Sequence, residues 1–307
     1  MLELSEFIVG LDWNKRFQQD PMTGGDYAEL LRAPHPLVSL VLQRGYCPEE
    51  VTYPFGSPAA RYAPRDAIPW PLAASLPSVD PDPDGLFDEA LAFCSRQPLN
   101  RPGPHTRDLF EFLTRRLRRD VWVERSAGSL TYLGELAREF PDAKFVHLHR
   151  QGEDTALSMR EHPVFRLAVM LTYQIPIGES GGNNQLSALG RDADHVSRLI
   201  ASRPPAEYFG RWWTEQIRLG VPVGHALGPD RYAEVSFEAL IATPNEVLRY
   251  IAEFLELPFD ANWLDAAAQL IDSRRELRAG PDASELAALS EACAPGNELL
   301  GRERRSS

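Results

Sequence analysis

The hydrophobic positions of this chain follow two periods, which predicts strands interleaved with helices. Residues 121–124 and 144–149 are short apolar runs typical of buried strands, and residues 129–140 between them show helical spacing. A third apolar run at 232–237 precedes an amphipathic helix at 244–257 that begins with proline. This alternation predicts an α/β fold with a parallel sheet, in which the strands end at one shared edge.

Helical spacing also extends on both sides of this alternation. Residues 106–119 place apolar side chains on one face and end in a basic last turn, which suits the helix dipole. Residues 206–219 carry aromatic side chains at helical spacing, which favours a core helix over a surface for stacking bases. The proline-crowded stretch 49–104 predicts irregular connections. The other helices that spacing predicts lie at 86–95, 153–161, 264–278 and 284–292.

Length and composition indicate an ordinary folded protein. The 307 residues fit one α/β domain over residues 1–300, followed by a disordered tail at 301–307. The formal net charge of -12 leaves no basic excess to displace counterions, which excludes non-specific binding to nucleic acid. The sequence has neither a long apolar stretch nor a signal peptide, so we predict no transmembrane segment and expect a cytoplasmic location.

Cysteine and histidine give no indication of a metal site. Cys47, Cys94 and Cys293 are far apart and odd in number, which is typical of reduced thiols and not of a zinc site or a disulfide framework. His147 and His149 alternate onto one face of the same predicted strand, where a histidine is more often a hydrogen-bonded core residue than a base. We therefore predict no bound metal.

The clearest chemical signal is the segment FVHLHRQGEDTALSMRE at 145–161. It predicts an apolar strand that ends at Arg150, a glycine-containing turn, and a helix that begins near Glu153 and carries Ser158. A guanidinium at a strand end, beside the N–H groups of a helix start, can hold a phosphate through charge-assisted hydrogen bonds. Taken alone, the same residues also fit a surface arginine and an ordinary helical serine.

An arginine followed eight positions later by serine at such a junction resembles the 3′-phosphate-binding motif of sulfotransferases that use 3′-phosphoadenosine-5′-phosphosulfate (PAPS). The flanking blocks WVERSAGSL at 122–130, FPDAKFVHLHR at 140–150 and residues 233–258 are similar to bacterial members of that family. The resemblance implies a three-layer, P-loop-like parallel sheet flanked by helices. It implies an enzyme that moves a sulfuryl group from PAPS to a hydroxyl of an acceptor without a metal, with Arg150 and Ser158 on the 3′-phosphate.

A second block of the resemblance concerns the end of the first predicted strand. Related enzymes often carry a lysine followed by serine or threonine there, and here Arg125 and Ser126 occupy those positions. The resemblance implies that Arg125 faces the oxygen on which charge develops as the sulfuryl group leaves, and that Ser126 binds the donor. Arginine keeps the charge, although its planar guanidinium is not equivalent to an ammonium. Ser129 fits a helix cap and a ligand contact equally well.

One feature of the family is not found in the sequence. The loop of arginine, serine, glycine and two threonines that holds the 5′-phosphosulfate does not occur, and residues 7–16 lack its hydroxyls and glycine spacing. Residues 2–12 instead resemble the segment after the first helix, so we expect the first strand and helix of the fold to be missing, through a late start codon or a natural fragment. By the same resemblance Glu6 falls where a carboxylate serves as general base, and a solvated glutamate is an equal alternative.

Other functions stay open from the sequence. A non-catalytic sulfotransferase-like fragment or pseudoenzyme would bind nucleotide or a protein partner without turnover. A P-loop kinase is disfavoured because no GxxxxGK[ST] sequence occurs. The acceptor, whether a small molecule, a glycan or a lipid, has no signature of its own. Its pocket is expected to come from the proline-rich stretch and from a surface excursion after His162 that contains Gly178, Gly181 and Gly182.

Overall fold

The computed structural model of the chain describes residues 1–5, 18–176, 193–271 and 282–302. The chain divides into two compact units. The first is formed by Met1–Ser129 and His162–Ser202, and the second by Leu130–Glu161 and Arg203–Ser307. Within its described residues, each unit contains one pair of parallel β-strands together with helices.

The strand pair of the first unit joins the start of the chain to its middle. Strand β1 (Leu2–Ser5) runs parallel to β2 (Trp122–Arg125), and Ser5 lies opposite Arg125. Strand β1 is not among the strands predicted from the hydrophobic pattern. The helices of this unit are α1 (Gly24–Arg32), α2 (Pro36–Leu42), α3 (Pro83–Ser95), α4 (Pro102–Arg116), α7 (Pro163–Thr172) and α8 (Ala193–Ala201).

Helix α4 supplies much of the core of the first unit because its apolar positions recur on one face. Leu109 and Phe110 have no exposed surface. The Phe110 ring packs edge-on against Trp122 of β2, with 4.9 Å between ring centroids. The hydroxyl of Tyr27 in α1 forms a hydrogen bond of 2.9 Å with the hydroxyl of Thr106 in α4. These contacts anchor β2, and thereby position the residues that follow it.

The strand pair of the second unit brings two strand ends to one edge. Strand β3 (Phe145–His149) runs parallel to β4 (Tyr232–Ser236), with Phe145 opposite Tyr232 and His149 opposite Ser236. The carboxyl ends of parallel strands are the usual ligand-binding edge of an α/β sheet. The helices of this unit are α5 (Leu133–Glu139), α6 (Gly152–Glu161), α9 (Ala206–Leu227), α10 (Phe237–Ala242), α11 (Pro244–Phe254), α12 (Ala261–Gln269) and α13 (Ala283–Leu299).

The start of α6 is fixed by a close approach to α9. A Cβ atom at Gly152 would lie 2.5 Å from the Trp213 ring, so the position accommodates only glycine without rearrangement. A Cβ atom at Gly296 of α13 would also lie 2.5 Å from the same ring. Trp213 therefore packs against the first residue of α6 and the last turns of α13. The aromatic helix at 206–219 is thus a core helix, as predicted.

The predicted α/β class, with parallel strands flanked by helices, is confirmed. Strands β2, β3 and β4 begin and end within one residue of the predicted ranges. The segment predicted as one helix at 129–140 is a 3₁₀ turn (Ser129–Tyr132) followed by α5, since tighter turns are frequent at helix starts. Helix α9 continues to Leu227, beyond its predicted end. Residues 272–278 of another predicted helix, and the three glycines of the predicted excursion, lie outside the described residues.

Candidate functional site

Arg150 lies at the carboxyl edge of the β3–β4 pair. It follows His149, the last residue of β3, while Phe237 follows the last residue of β4. The Arg150 guanidinium lies 5.6 Å from the centroid of the Phe237 ring, and its Nη2 lies 3.4 Å from Oδ2 of Asp154. The side chain stays 28% exposed. The arginine is therefore held at the predicted edge by an aromatic face and a carboxylate, within reach of a ligand.

Ser158 is placed by the helix that follows. It is exposed on α6, one turn after Asp154, which in turn follows Arg150 by four residues. Asp154 and Ser158 are four residues apart and lie on the same side of α6, and Arg150 reaches Asp154 through the 3.4 Å contact. The structure thus places Arg150 and Ser158 where the sequence predicts them, with Asp154 between them.

The first two N–H groups at the start of α6 are already used inside the protein. The Gln151 N–H donates to Oε1 of Glu238 at 2.8 Å, and the Gly152 N–H donates to Oδ1 of Asn297 at 3.2 Å. A helix start offers anions its unpaired N–H groups. A phosphate at this edge would therefore depend on the Arg150 guanidinium and the Ser158 hydroxyl more than on these two backbone groups.

Glu153 is a fully buried carboxylate in the first turn of α6. Its Oε2 accepts hydrogen bonds of 3.1 Å from the side-chain amides of Asn297 and Gln151. Its Oε1 is buried without a hydrogen-bond partner among the described residues. A negative charge in the first turn is favoured by the helix dipole. Glu153 and Asn297 together fasten the start of α6 to α13.

Arg302 forms hydrogen bonds at the edge where β3 and β4 end. This arginine was not among the residues predicted from the sequence. Its Nη2 donates to Nδ1 of His149 and to Oε2 of Glu238, each at 2.8 Å, and to the Ser236 hydroxyl at 3.3 Å. Its Nη1 donates to the side-chain oxygen of Gln151 at 3.3 Å. The side chain is 13% exposed. No local spacing could have identified this arginine, because its partners come from two distant segments of the chain, at the ends of β3 and β4.

The charge of Arg302 acts on both of its main partners. Partial burial raises the pKa of Glu238, but the hydrogen bonds from Arg302, the Gln151 N–H and the Ser236 hydroxyl outweigh it and lower that pKa to about 2. Burial lowers the pKa of His149, and the nearby Arg302 charge lowers it further. The pair is therefore a carboxylate and a neutral imidazole near pH 7, joined by one guanidinium.

His147 has the core role that the sequence favours. Its Nδ1 lies 2.9 Å from the hydroxyl of Tyr232, the first residue of β4. Burial, followed by the charges of neighbouring groups, lowers the pKa of His147 to about 3. The imidazole is therefore neutral at physiological pH and serves as a hydrogen-bonding link between the two strands.

In the first unit, Arg125 and Ser126 lie at the carboxyl edge of the β1–β2 pair. Arg125 is exposed, and its Nε lies 3.0 Å from Oε1 of Glu3. The Oγ of Ser126 is buried and has no hydrogen-bond partner within the described part of the chain. Ser129 donates to the Ser126 carbonyl at 3.2 Å, which favours a local structural role for it. Glu6, predicted as a base, lies outside the described residues.

Three further features concern metal-binding clusters, cysteine thiols and membrane-spanning helices. Within the described residues, no group of three or more histidines, cysteines or acidic residues is arranged to hold a metal ion. Cys47 is exposed, Cys94 and Cys293 are buried, and all three are free thiols. No helix in the described ranges combines the length and apolar character that crossing a bilayer requires.

A protein-family model matches the middle of the chain. The family model described as the sulfotransferase family matches residues 97–261, more than half of the chain. The matched range contains β2, β3 and β4, and with them Arg125, Ser126, Arg150 and Ser158. No curated protein matches the chain.

Three solved structures of sulfotransferases resemble this one. The sulfotransferase domain from the curacin biosynthetic pathway is 12% identical, with a TM-score of 0.44, over 96% of this chain and 88% of that one. The sulfotransferase domain of the olefin synthase of Synechococcus PCC 7002 is 17% identical, with a TM-score of 0.40, over 96% and 94% of the two chains. A sulfotransferase from Alicyclobacillus acidocaldarius is 18% identical, with a TM-score of 0.34, over 63% and 72%.

Proposed function

This chain belongs to the sulfotransferase family, and from that membership we propose that it transfers a sulfuryl group from PAPS to a hydroxyl group of a small-molecule acceptor. The observation that carries the proposal is the position of Arg150 at the carboxyl edge of the β3–β4 pair, at the start of α6. That edge is where ligands of parallel α/β sheets bind. The family match covers this junction in full.

The 3′-phosphate end of the donor is assigned to Arg150 and Ser158. Arg150 carries a partly exposed guanidinium that can form two parallel hydrogen bonds to a phosphate. Ser158 adds an exposed hydroxyl on the same side of the α6 start. Asp154 has the supporting role of orienting Arg150, since its carboxylate lies 3.4 Å from the guanidinium.

In the first unit, Arg125 and Ser126 have the roles at the sulfuryl group that the family resemblance implies. The buried Ser126 hydroxyl has no partner among the described residues, which fits a group that gains a hydrogen bond when the donor binds. Arg125 is exposed and positively charged, so it can face an oxygen that becomes negative. Glu6 is the base that the family resemblance implies, and Ser5 before it is paired with Arg125.

PAPS supplies the transferable group, and the residues of the chain hold it, neutralise charge and remove a proton. Arg150 and Ser158 bind the 3′-phosphate, so that the donor is held in one orientation at the β3–β4 edge. Arg125 offsets the negative charge that remains on the leaving bisphosphate. A carboxylate then accepts the proton of the acceptor hydroxyl. Each of these roles is electrostatic and requires no metal.

A non-catalytic nucleotide-binding protein is the second candidate. Two observations favour it: the phosphosulfate loop is not found in the sequence, and the Gln151 and Gly152 N–H groups are bonded inside the protein. Such a protein would bind adenosine 3′,5′-bisphosphate at Arg150 without turning over PAPS.

Transfer from radiolabelled PAPS tests the proposal. The purified chain is incubated with ³⁵S-labelled PAPS and a panel of hydroxyl acceptors comprising 2-naphthol, 1-octanol and glucose, and labelled products are separated. Transfer to at least one acceptor is expected. Binding of the bisphosphate without any transfer would favour the non-catalytic candidate, and a folded chain that neither binds nor transfers would contradict both.

A further inference from the structure

A carboxylate and an imidazole form a pair in the first unit, away from the residues singled out above. Oε2 of Glu50 lies 3.0 Å from Nε2 of His162. Glu50 lies in the turn after α2, in which the Val51 N–H donates to the Pro48 carbonyl at 3.0 Å. His162 is the residue immediately before α7. Both side chains are partly exposed, 32% for Glu50 and 22% for His162.

The ring of His162 is fixed, so it can orient its partner. Its Nδ1 accepts the N–H of Phe165 and caps the start of α7. Since that nitrogen is the acceptor, Nε2 carries the proton and donates it to Glu50. The ring also packs edge-on against Phe165, with 5.3 Å between centroids. With both nitrogens engaged, the imidazole is a positioning group, and the carboxylate is the group that can accept a proton.

The electrostatic surroundings keep Glu50 ionised. Burial raises its pKa, but the hydrogen bond from His162, its own backbone N–H and the charge of Arg125 outweigh burial, and the pKa falls below its usual value. Glu50 and Arg125, the residue assigned to the developing charge, belong to the same compact unit. In-line transfer to a hydroxyl needs both a base and a cation at the reacting groups.

We propose that Glu50, oriented by His162, is the general base of the reaction, and this inference rests on the proposed function. As the acceptor oxygen forms its bond to sulfur, the bond between sulfur and the bridging phosphate oxygen breaks, and its electron pair leaves with adenosine 3′,5′-bisphosphate. The proton of the acceptor hydroxyl passes to the Glu50 carboxylate. Glu50 returns to its ionised state by releasing that proton to water. No other reactant is needed.

Glu50→Gln tests this assignment, because the amide oxygen can still accept from His162 while the basic oxygen is lost. With the acceptor that the wild type turns over best, we expect kcat to fall by about 100-fold or more. The acid limb of the pH–rate profile should disappear. Affinity for adenosine 3′,5′-bisphosphate and the thermal midpoint should stay close to wild type. Glu49→Gln, which changes the neighbouring exposed glutamate, should leave all four quantities unchanged.

His162→Asn separates positioning from basicity. It keeps an acceptor for the Phe165 N–H but loses the donor to Glu50, so kcat should fall less than in Glu50→Gln while the acid limb survives at a shifted pH. Glu6→Gln is the third variant, because the family resemblance implies Glu6 as the alternative general base. An active wild type with an unchanged Glu50→Gln profile would overturn this inference alone, most clearly if Glu6→Gln removes the acid limb. A wild type without any transfer would overturn the proposed function first and this inference with it.

Discussion

The guanidinium of Arg302 lies 2.8 Å from Nδ1 of His149, so a residue beyond the last described helix bonds to the end of β3. The same guanidinium lies 2.8 Å from Glu238, which follows β4. One cation thus ties together the two strand ends at which Arg150 stands. Arg302 bonds within the protein and is expected to affect its stability, while Arg150 stays partly exposed and is expected to affect ligand affinity. Substitutions at the two positions should therefore change different properties.

Replacing Arg302 should reduce stability. In Arg302→Gln, Glu238 and His149 lose their charged donor, and we expect the free energy of unfolding to fall by about 1–3 kcal/mol, reduced from the value for a fully buried pair because Glu238 is half exposed. Urea titration followed by circular dichroism measures the change. Arg302→Lys keeps the positive charge but loses the planar arrangement of guanidinium donors. Its free energy of unfolding should therefore lie between those of wild type and Arg302→Gln. If Arg302→Gln is as stable as wild type, the Arg302 contacts make no net contribution to the free energy of unfolding.

Replacing Arg150 should weaken ligand binding and leave stability nearly unchanged. In Arg150→Ala, the 3′-phosphate loses its charged partner, so affinity for adenosine 3′,5′-bisphosphate should fall by roughly 2 kcal/mol, or about 30-fold. Isothermal titration calorimetry measures it. Arg218→Ala, at an exposed position on α9, is the matched control and should bind as wild type does. If both variants bind adenosine 3′,5′-bisphosphate equally well, Arg150 does not contact the 3′-phosphate.

The lowered pKa of the half-buried His147 predicts a loss of stability in acid. Its pKa is about 3 in the folded protein, below its unfolded value, so the unfolded chain binds a proton first as pH falls. The stability that His147 contributes is fully present above about pH 6.5 and declines as pH falls from there towards 3. His147→Asn can keep the bond to Tyr232 and cannot titrate, so its unfolding free energy should have a smaller slope between pH 6 and 4. Parallel slopes would indicate that other groups dominate acid unfolding.

The fit of Gly152 against Trp213 predicts a cost for adding one methyl group. In Gly152→Ala the new Cβ would overlap the ring, and relief of that overlap should lower the unfolding free energy by about 1–3 kcal/mol. Gly134→Ala is the matched control in α5, where a Cβ would lie 3.8 Å from Val223. There alanine should stabilise by about 0.5–1 kcal/mol through its helix propensity. Thermal melts of both variants against wild type give the comparison.

The parts of the fold that the sequence predicts are those with local signals. Strands β2 to β4 are short apolar runs, and the junction at Arg150 has its partner Asp154 four residues away. The contacts of Arg302 and Asn297 could not be predicted in the same way. They join residues 153 and 145 positions apart, and neither spacing nor hydropathy along the chain encodes such a pairing.

The Glu50–His162 pair was missed for the same reason. The two residues are 112 positions apart, and each has a local alternative, a solvated turn glutamate and a helix-capping histidine. Strand β1 was missed because residues 2–12 were interpreted only through their resemblance to the segment after the first helix of the family. At the β3–β4 edge, a group with a local sequence signal, Arg150, is thus combined with Arg302, whose contacts form only in the folded chain.

The hydrogen bond from Gly152 to Asn297 has a consequence for the order in which this protein is made. Synthesis proceeds from the N-terminus, and the Asn297 side chain emerges from the ribosome 145 residues after the backbone group it must satisfy. Until then the start of α6 has an unpaired N–H and a carboxylate, Glu153, that lacks one of its two amide partners. The edge that carries Arg150 is therefore completed late in translation, and a nascent chain should acquire affinity for the nucleotide only when its last helix has docked.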